Sequence, residues 1–163
     1  MISRRLTLIA LTAPALAFAL DGVLPVHAAS TQIVVVTKKS STLSELSLRD
    51  LKRLYQGDKI SAPDGTSLLP LNHAAGSPSR VTFDHLVLKM SPDEVGRYWV
   101  DRKIRGQTGA PKAIPSVDLL RKVVAAMAGA LTYLDAADVT PDLKVVSIEG
   151  KLPTDLDYPL KLQ

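Results

Sequence analysis

The chain has 163 residues, of which 46% are hydrophobic and 22% charged, with a formal net charge of +4 and a sequence pI near 9.4. This length predicts one domain with its own core, and it is too short for a (β/α)₈ barrel or a two-domain dehydrogenase. Because the chain contains no cysteine, disulfides, thiolate metal sites and cysteine nucleophiles are excluded.

Residues 1–28 have the pattern of a secretory signal peptide. Arg4 and Arg5 form a positive start, and an uncharged run of roughly 15 residues leads to a small-residue cleavage sequence. We expect cleavage after Ala28, or else after Ala29, and therefore a periplasmic or secreted protein. A membrane span is the weaker alternative, because the run is interrupted by proline and falls short of the roughly 20 residues that a bilayer requires. The two arginines leave the twin-arginine export route open beside the general one.

The mature chain, residues 29–163, forms a single predicted domain. Loss of two arginines and one aspartate with the signal lowers its net charge to about +3. The basic residues alternate with acidic ones and lack interleaved aromatics, so nucleic acid is not an expected partner. The small positive excess is compatible with an anionic ligand, and equally with solubility alone. After cleavage only His73 and His85 remain as histidines, so we expect no metal and no cofactor.

Strand and helix patterns alternate along the mature chain. The predicted strands are 33–36, 67–71, 130–134 and 144–148. Four helices are predicted to begin after serines in the N-cap position, namely Ser47, Ser77, Ser91 and Ser116. Gly57 and Gly129 are expected to end the first and last of them. This alternation predicts an α/β fold in which helices flank a mixed β-sheet.

Apolar periodicity assigns several helical residues to the core. After Ser77, four apolar side chains recur at helical spacing and predict one continuous buried face: Phe83, Leu86, Val87 and Met90. Tyr98 and Trp99 follow Val95 at helical spacing, and we expect them in the core rather than on a ligand. Residues 106–115 are predicted as a loop, and the segment after Gly150 has no apolar period.

The turn at residues 72–80, from a strand end into a helix, is the strongest candidate site. Free N–H groups and the positive end of the helix dipole favour an oxyanion there. Ser77 and Ser79 would add hydroxyl donors and Arg80 a positive charge, whereas Pro78 removes one N–H donor. The alternative is that Ser77 merely caps its helix while Ser79 and Arg80 face water.

Enzymatic chemistry is not predicted. Neither Ser77 with His73 nor His85 with Asp84 lies in a Gly-x-Ser-x-Gly elbow, and adjacent residues do not face each other on a helix. His85 is expected at the surface. A solvated connection, rather than a calcium site, is predicted for three acidic residues that lack the order of an EF-hand loop: Asp135, Asp138 and Asp142.

From Ile33 to about Ile148 the chain resembles the phosphate-binding periplasmic protein family of ABC importers, which has the type II solute-binding fold. The matching landmarks are Ile33-Val34-Val35-Val36, the run from Leu43 to Lys59, Pro63-Asp64-Gly65, Leu69-Pro70-Leu71, the segment from Gly76 to Phe83, Tyr98-Trp99, Ser116, and the segment from Ala128 to Leu134. Their order and spacing together carry the resemblance, which covers nearly all of the mature chain.

The resemblance implies a protein that binds phosphate or a similar oxyanion. The turn containing Gly76, Ser77, Ser79 and Arg80 would supply one lobe's share of the site. Full-length family members close two lobes over the anion, whereas this sequence matches one lobe. We therefore expect weak binding, since a half-enclosed anion stays in contact with water.

The family's loop carries an arginine where this chain has His73, and a Gly-Thr pair where it has Pro78 and Ser79. A permanent charge and one backbone donor are thereby lost. Protonated His73 is expected to replace part of that charge, so that anion binding would strengthen below about pH 6.5.

Two functions remain open at this point. The first is an exported, non-enzymatic solute-binding protein that recognises an oxyanion and is linked to phosphate uptake through an ABC permease. The second is a ligand-free interaction module of the cell envelope that keeps the same fold and docks on a protein partner. Homodimerisation that completes the site is compatible with either.

Overall fold

A β-branched run forms the centre of the sheet. The computed structural model describes residues 32–162. Strand β1, Ile33–Lys38, has its first five residues buried. Helices and loops cover both faces of this strand, which is why its apolar residues are continuous rather than alternating.

Six strands of the described region form one mixed sheet. The others are β2 (Glu45–Leu46), β3 (Leu69–Asn72), β4 (Lys112–Ala113), β5 (Ala130–Asp135) and β6 (Leu143–Ile148), in the spatial order β2-β6-β1-β5-β3-β4. Strand β1 runs antiparallel to β5 and β6, so that Val35 lies between Tyr133 and Val146. The pairs β2 with β6, β3 with β5 and β3 with β4 are parallel.

Serine caps begin three of the α-helices that the described residues form. The helices are α1 (Leu48–Tyr55), α2 (Pro78–Phe83), α3 (Pro92–Ile104) and α4 (Val117–Ala126). As predicted, a serine hydroxyl at three of these helix starts accepts a hydrogen bond from the backbone N–H three residues later. The serines are Ser47, Ser91 and Ser116. Glu94 completes a capping box with Ser91. The predicted α/β class, a mixed sheet flanked by helices, is confirmed.

The alternation of β1 side chains divides the core into two layers. Ile33 and Val35 point to one face and pack with α1, the segment after α2, and α3. Val34 and Val36 point to the other face and pack with α4. The sheet therefore lies between two helical layers. Helix α2 belongs to the layer that covers the face of Ile33 and Val35.

The helix predicted to follow the candidate turn is interrupted. Helix α2 ends at Phe83, a π-helical turn continues to Leu88, and Lys89 adopts a left-handed conformation with φ of 59°. A π-helical turn contains more residues than an α-helical one, so the rotation per residue changes. Phe83 and Val87 are buried as expected, but the other two residues of the predicted face are only half-buried.

Two segments without periodicity also contribute to the fold. The predicted loop 106–115 contains strand β4. The segment after Gly150 places Tyr158 and Leu160 in the core, and the N–H of Ile33 donates to the carbonyl of Leu160 at 3.0 Å. These contacts join residues far apart in sequence, which apolar periodicity does not detect.

Gly129 lies where α4 leads into β5, beside the chain that leads into β3. Its φ is 75°, and a Cβ built on it would overlap the carbonyl oxygen of Ser67. Its own carbonyl accepts the N–H of Leu69 at 2.8 Å. Glycine is thus required both by the backbone conformation and by the close approach of the two segments.

Within residues 32–162, no helix combines the length and the apolar character that crossing a bilayer requires. The predicted signal peptide, residues 1–28, lies outside the described residues. The same holds for the first three residues and the last residue of the predicted domain 29–163.

Candidate functional site

The candidate turn connects the buried end of β3 to α2. Asn72 is buried, and its side-chain oxygen accepts the hydroxyl of Tyr133 at 3.1 Å. Gly76, in the middle of the turn, has φ of 77° and open space where a side chain would be. The turn is therefore anchored at its strand end and accessible to solvent at its glycine.

Ser77 occupies the predicted N-cap position but does not cap the helix with its side chain. Its hydroxyl donates instead to the carbonyl of Ala74 at 2.9 Å. The carbonyl of Ser77 accepts the N–H of Val81 at 3.0 Å. Within residues 32–162 this leaves the N–H groups of Ser79 and Arg80 without an acceptor. Two backbone donors are thus free at the start of α2.

A carboxylate lies beside these donors. The hydroxyl of Ser79 is 3.4 Å from both carboxylate oxygens of Asp135, at the end of β5. A negative charge near a helix N-terminus interacts favourably with the helix dipole. The carboxylate of Asp135 therefore already provides a negative charge at the start of α2. It also repels any anion that approaches from solution.

The charge of Arg80 is compensated inside the protein. Its Nε donates to Oδ2 of Asp84 at 2.7 Å, and the two side chains are only 11% and 5% exposed. Burial raises the pKa of Asp84, while the neighbouring guanidinium opposes that rise. The second oxygen of this carboxylate, Oδ1, is buried and has no hydrogen-bond partner among the described residues.

His73 lies behind the turn rather than on its surface. It is 3% exposed, and its Nε2 lies 2.7 Å from the carbonyl oxygen of Tyr133, so Nε2 carries a proton and donates. Burial lowers the pKa of His73. The expectation that His73 supplies positive charge below about pH 6.5 stays a prediction, and burial opposes it because it disfavours the charged imidazole.

An aromatic cluster holds this part of the turn in place. The ring of Phe83 stacks on that of Tyr133 at 3.8 Å, and Tyr55 contacts both. The imidazole of His73 packs 4.9 Å from the ring of Tyr133. Of the predicted site residues, Gly76, Ser77, Ser79 and Arg80 come together at the start of α2, whereas His73 supports them from the core.

A cleft of about 290 Å³ adjoins the turn, between α2 with its π-helical turn, α3, and residues 110–113. We call it the Trp99 cleft. Its lining includes Gly76, Arg80, Asp84, Val95, Gly96 and Trp99. Tyr98 and Trp99, expected in the core, are half-buried: Trp99 packs against the core and lines the cleft, while Tyr98 donates its hydroxyl to the carbonyl of Gln56.

Sequence reasoning missed Asp84 and Asp135 as neighbours of the turn. Arg80 and Asp84 are four residues apart on a predicted helix, and this spacing indicates an ion pair from the sequence alone. The approach of Asp135 to Ser79 depends on strand pairing and had no local signal. His85 is exposed, as expected. No group of metal-ligating side chains is found among residues 32–162.

Neither a family model nor a curated protein sequence matches this chain. Solved structures do match. An ABC-type phosphate transport receptor from Vibrio cholerae aligns with a TM-score of 0.62 and 16% identity, covering 79% of this chain and 52% of the receptor. A putative phosphate ABC transporter substrate-binding protein from Clostridium perfringens, solved with bound phosphate, aligns with a TM-score of 0.61 and 17% identity, covering 76% and 47%.

PstS from Borrelia burgdorferi aligns with a TM-score of 0.61 and 12% identity, and the alignment covers 81% of this chain and 55% of PstS. The chain thus spans about half the length of these structures. The resemblance drawn from the sequence is confirmed at the level of the fold. Over most of its length, this chain has the fold of about half of a phosphate-transport receptor of the periplasmic binding type.

Proposed function

We propose that this protein is an exported, non-enzymatic binder of phosphate or a similar oxyanion. Residues 1–28 act as the signal peptide and residues 29–163 as a single binding domain in the periplasm or outside the cell. The observation that carries the proposal is the pair of N–H groups, on Ser79 and Arg80, that lack an acceptor at the start of α2. The fold shared with two phosphate-transport proteins supports this ligand class.

Each residue of the turn has a distinct part in the proposed site. Gly76 leaves the backbone open to an approaching oxygen, and Ser79 and Arg80 donate their N–H groups. The hydroxyl of Ser77 reaches the anion after rotating away from the carbonyl of Ala74. His73 contributes by holding the turn against the core rather than by charge.

A second surface is expected to complete this site. Asp135 lies beside Ser79, and the guanidinium of Arg80 is paired with Asp84, so the turn has no excess of positive charge. An anion on this surface also remains largely hydrated, which weakens every electrostatic contact. We therefore propose weak binding by this domain alone, strengthened by a second copy, an envelope protein or the permease of an uptake system.

A ligand-free interaction module is the second candidate function. Val100 and Ile104, one helical turn apart on α3, are 60% and 80% exposed. Exposed apolar side chains that lie together mark protein interaction surfaces. In this alternative the compensated charges of the turn are structural, and a protein partner covers the apolar residues.

Backbone amide chemical shifts in an NMR titration of the mature protein would test the anion site. With sulfate or phosphate added against chloride at matched ionic strength, the N–H signals of Ser79 and Arg80 are expected to shift in a saturable way. The amides of Asp50 and Leu119 are internal controls, because each already donates to a capping serine. Equal small shifts at all helix starts would count against a specific site and in favour of the interaction module.

The export step has a separate test. Intact mass of the protein recovered from the periplasm or medium should correspond to a chain that begins at Ala29, or at Ser30 if cleavage follows Ala29. A full-length mass with Met1 retained in the membrane fraction would contradict the signal-peptide assignment without affecting the anion site.

A further inference from the structure

We propose that the exposed side of α3 binds the same side of a second copy of this chain, with the two helices antiparallel. The proposal builds on the second candidate function, because it names the partner of the exposed apolar residues on α3. It does not depend on an oxyanion at the start of α2.

An apolar stripe runs along the exposed side of α3. Gly96, Val100 and Ile104 recur every four residues, and all three are exposed. They lie in an open groove of about 510 Å³ whose lining residues all belong to α3. The helix packs on the core through its other side, which carries Val95 and Trp99. The stripe is therefore a helix face that residues 32–162 leave uncovered.

Gly96 is a glycine that the single chain does not require. It lies in the interior of α3, where glycine is less favourable than alanine. A Cβ at this position would meet no described neighbour within 4 Å. Because a glycine allows close approach to its backbone, it forms a notch in the stripe that a bulky side chain of another helix can fill.

A row of alternating charges borders the stripe and identifies the partner. Its exposed members follow one another every four residues, the last of them at the end of the helix: Asp93, Arg97, Asp101 and Arg105. Taken in the reverse direction, the row has the opposite charge at every position. A second copy in antiparallel order therefore presents a cation wherever the first presents an anion, whereas in parallel order each charge would lie level with an identical one.

One register of the two helices satisfies the whole row. When Asp93 lies level with Arg105 of the second copy, Arg97 lies level with Asp101 of the second copy. The two-fold symmetry repeats both pairs, which gives four ion pairs between the copies. A partner with an unrelated sequence has no reason to match this order of charges, so the row favours a second copy of this chain.

The same register brings the two apolar stripes together. An α-helix rises about 1.5 Å per residue, so Ile104 comes within about 3 Å, measured along the helix axis, of the level of Gly96 in the second copy. The two Val100 side chains are equally close in level, next to the two-fold axis. Each isoleucine thus faces a glycine notch, and a face that is complementary to itself closes into a dimer.

We expect this dimer to be weak. The 13 residues of α3 span only about 20 Å. Asp101 already pairs with Arg105 within the helix at 2.7 Å, so part of the gain between the copies is an exchange of exposed ion pairs. Contacts of this size are transient, with dissociation constants on the order of 100 μM.

Sedimentation equilibrium of the mature protein, from about 10 μM to about 1 mM, covers this range. The mass is expected to rise from one chain to two and no further, because a two-fold contact is closed. Val100→Glu places two carboxylates beside the two-fold axis and should abolish the dimer. This side chain is 60% exposed, so the variant should keep its fold.

Charge reversal tests the antiparallel order. Arg97→Asp and Asp101→Arg each create two repulsive pairs in a dimer of identical copies, and each should weaken association roughly tenfold. In a mixture of the two variants, a mixed dimer has all four opposite-charge pairs again. The mixture should therefore associate about as strongly as the native protein. Lys122→Asp, the same kind of reversal at an exposed position on α4, should have no effect.

Three results would overturn the proposal. A native protein that stays monomeric at about 1 mM would leave the exposed side of α3 to a different protein. A dimer that persists in Val100→Glu would place the contact elsewhere on the surface. A mixture of the two charge variants that associates no better than either alone would exclude the antiparallel order. The oxyanion site is unaffected by these outcomes, since the amide shifts of Ser79 and Arg80 measure it separately.

Discussion

The hydroxyl of Ser79 and the carboxylate of Asp135 lie 3.4 Å apart, although the two residues are separated by 56 positions in sequence. Strand β5 ends beside the start of α2 and brings them together. The free amides at the start of α2 are consequently next to a carboxylate. If the turn binds an anion as proposed, Asp135 is the residue expected to limit its affinity.

Replacement of Asp135 by asparagine should therefore strengthen sulfate binding. The change keeps the shape of the side chain and removes its charge, and we expect affinity to rise roughly fivefold to tenfold. The Ser79 and Arg80 amide shifts measure it. Asp101→Asn is the control, because that exposed carboxylate pairs with Arg105 on α3. Unchanged affinity in Asp135→Asn would mean that the anion does not bind near Ser79.

The buried pair of Arg80 and Asp84 should be important for stability. Removing one partner leaves the other charged and desolvated, so Arg80→Ala is expected to lower the free energy of unfolding by about 3–5 kcal/mol. Arg80→Met combined with Asp84→Leu should cost less than either single change. Urea denaturation measures the free energy of unfolding of each variant. Arg105→Ala, from an exposed pair, should have little effect.

That expectation also limits the choice of variants for ligand tests. Loss of binding in Arg80→Ala would be difficult to separate from loss of structure. Ser79→Ala, which removes a hydroxyl but no buried charge, is the better probe of the turn. A stability cost for Arg80→Ala no larger than that for Arg105→Ala would contradict the buried ion pair.

Stability should fall as the pH decreases below about 6.5, because of His73. Burial lowers the pKa of this imidazole in the folded protein, so the unfolded chain binds the proton more readily. The unfolded state gains stability once the pH passes the ordinary histidine value, and the loss continues down to the folded pKa. Urea denaturation between about pH 7.5 and 5.5 measures the slope.

A pair of variants isolates this contribution. His73→Gln can still donate to the carbonyl of Tyr133 but does not titrate, and it should flatten the slope. His85→Gln, at an exposed position, should leave the slope as it is. An equal slope in His73→Gln and the native protein would assign the pH dependence to other groups. The same burial predicts no strengthening of anion binding through His73 near pH 6.5.

Features set by neighbouring residues were predictable from the sequence. Ser47, Ser91 and Ser116 cap their helices because capping involves residues three apart, and a β-branched run such as 33–36 favours a buried strand wherever it pairs. The fold class followed from the alternation of such elements. The position of the turn between a strand and a helix was predictable for the same reason.

Features that depend on distant contacts were not predictable. Ser77 is a local exception: it has the sequence of a side-chain cap, yet its hydroxyl donates to the carbonyl of Ala74, three residues before it. His73 follows a strand end and could have faced solvent, but the aromatic cluster around Tyr133 encloses it. Asp135 reaches Ser79 only through the pairing of the sheet. The contacts of His73 and Asp135 join distant parts of the chain, and neither has a signal in local periodicity.

Alanine substitutions at Gly129 and Gly76 separate two contributions to the loss of stability when a side chain is introduced at positive φ. These are backbone strain and steric overlap with a neighbouring segment. The φ angles of the two glycines are nearly equal, 75° and 77°, but a Cβ at Gly129 would overlap the carbonyl oxygen of Ser67 whereas one at Gly76 meets nothing. Gly76→Ala should therefore cost only the backbone strain, about 1–2 kcal/mol. Gly129→Ala should cost clearly more, since the chain that leads into β3 must also move.

Chemical denaturation of the two alanine variants, with the native protein measured in parallel, gives the difference directly. Because the backbone term is common to both, the excess cost at Gly129 measures how firmly the approach of Ser67 is held by the pairing of β3 with β5. That pairing positions the strand from which the candidate turn emerges. An equal loss of stability in the two alanine variants would mean that the chain around Ser67 shifts freely. The candidate turn would then be held less rigidly than the hydrogen bond from Leu69 to Gly129 indicates.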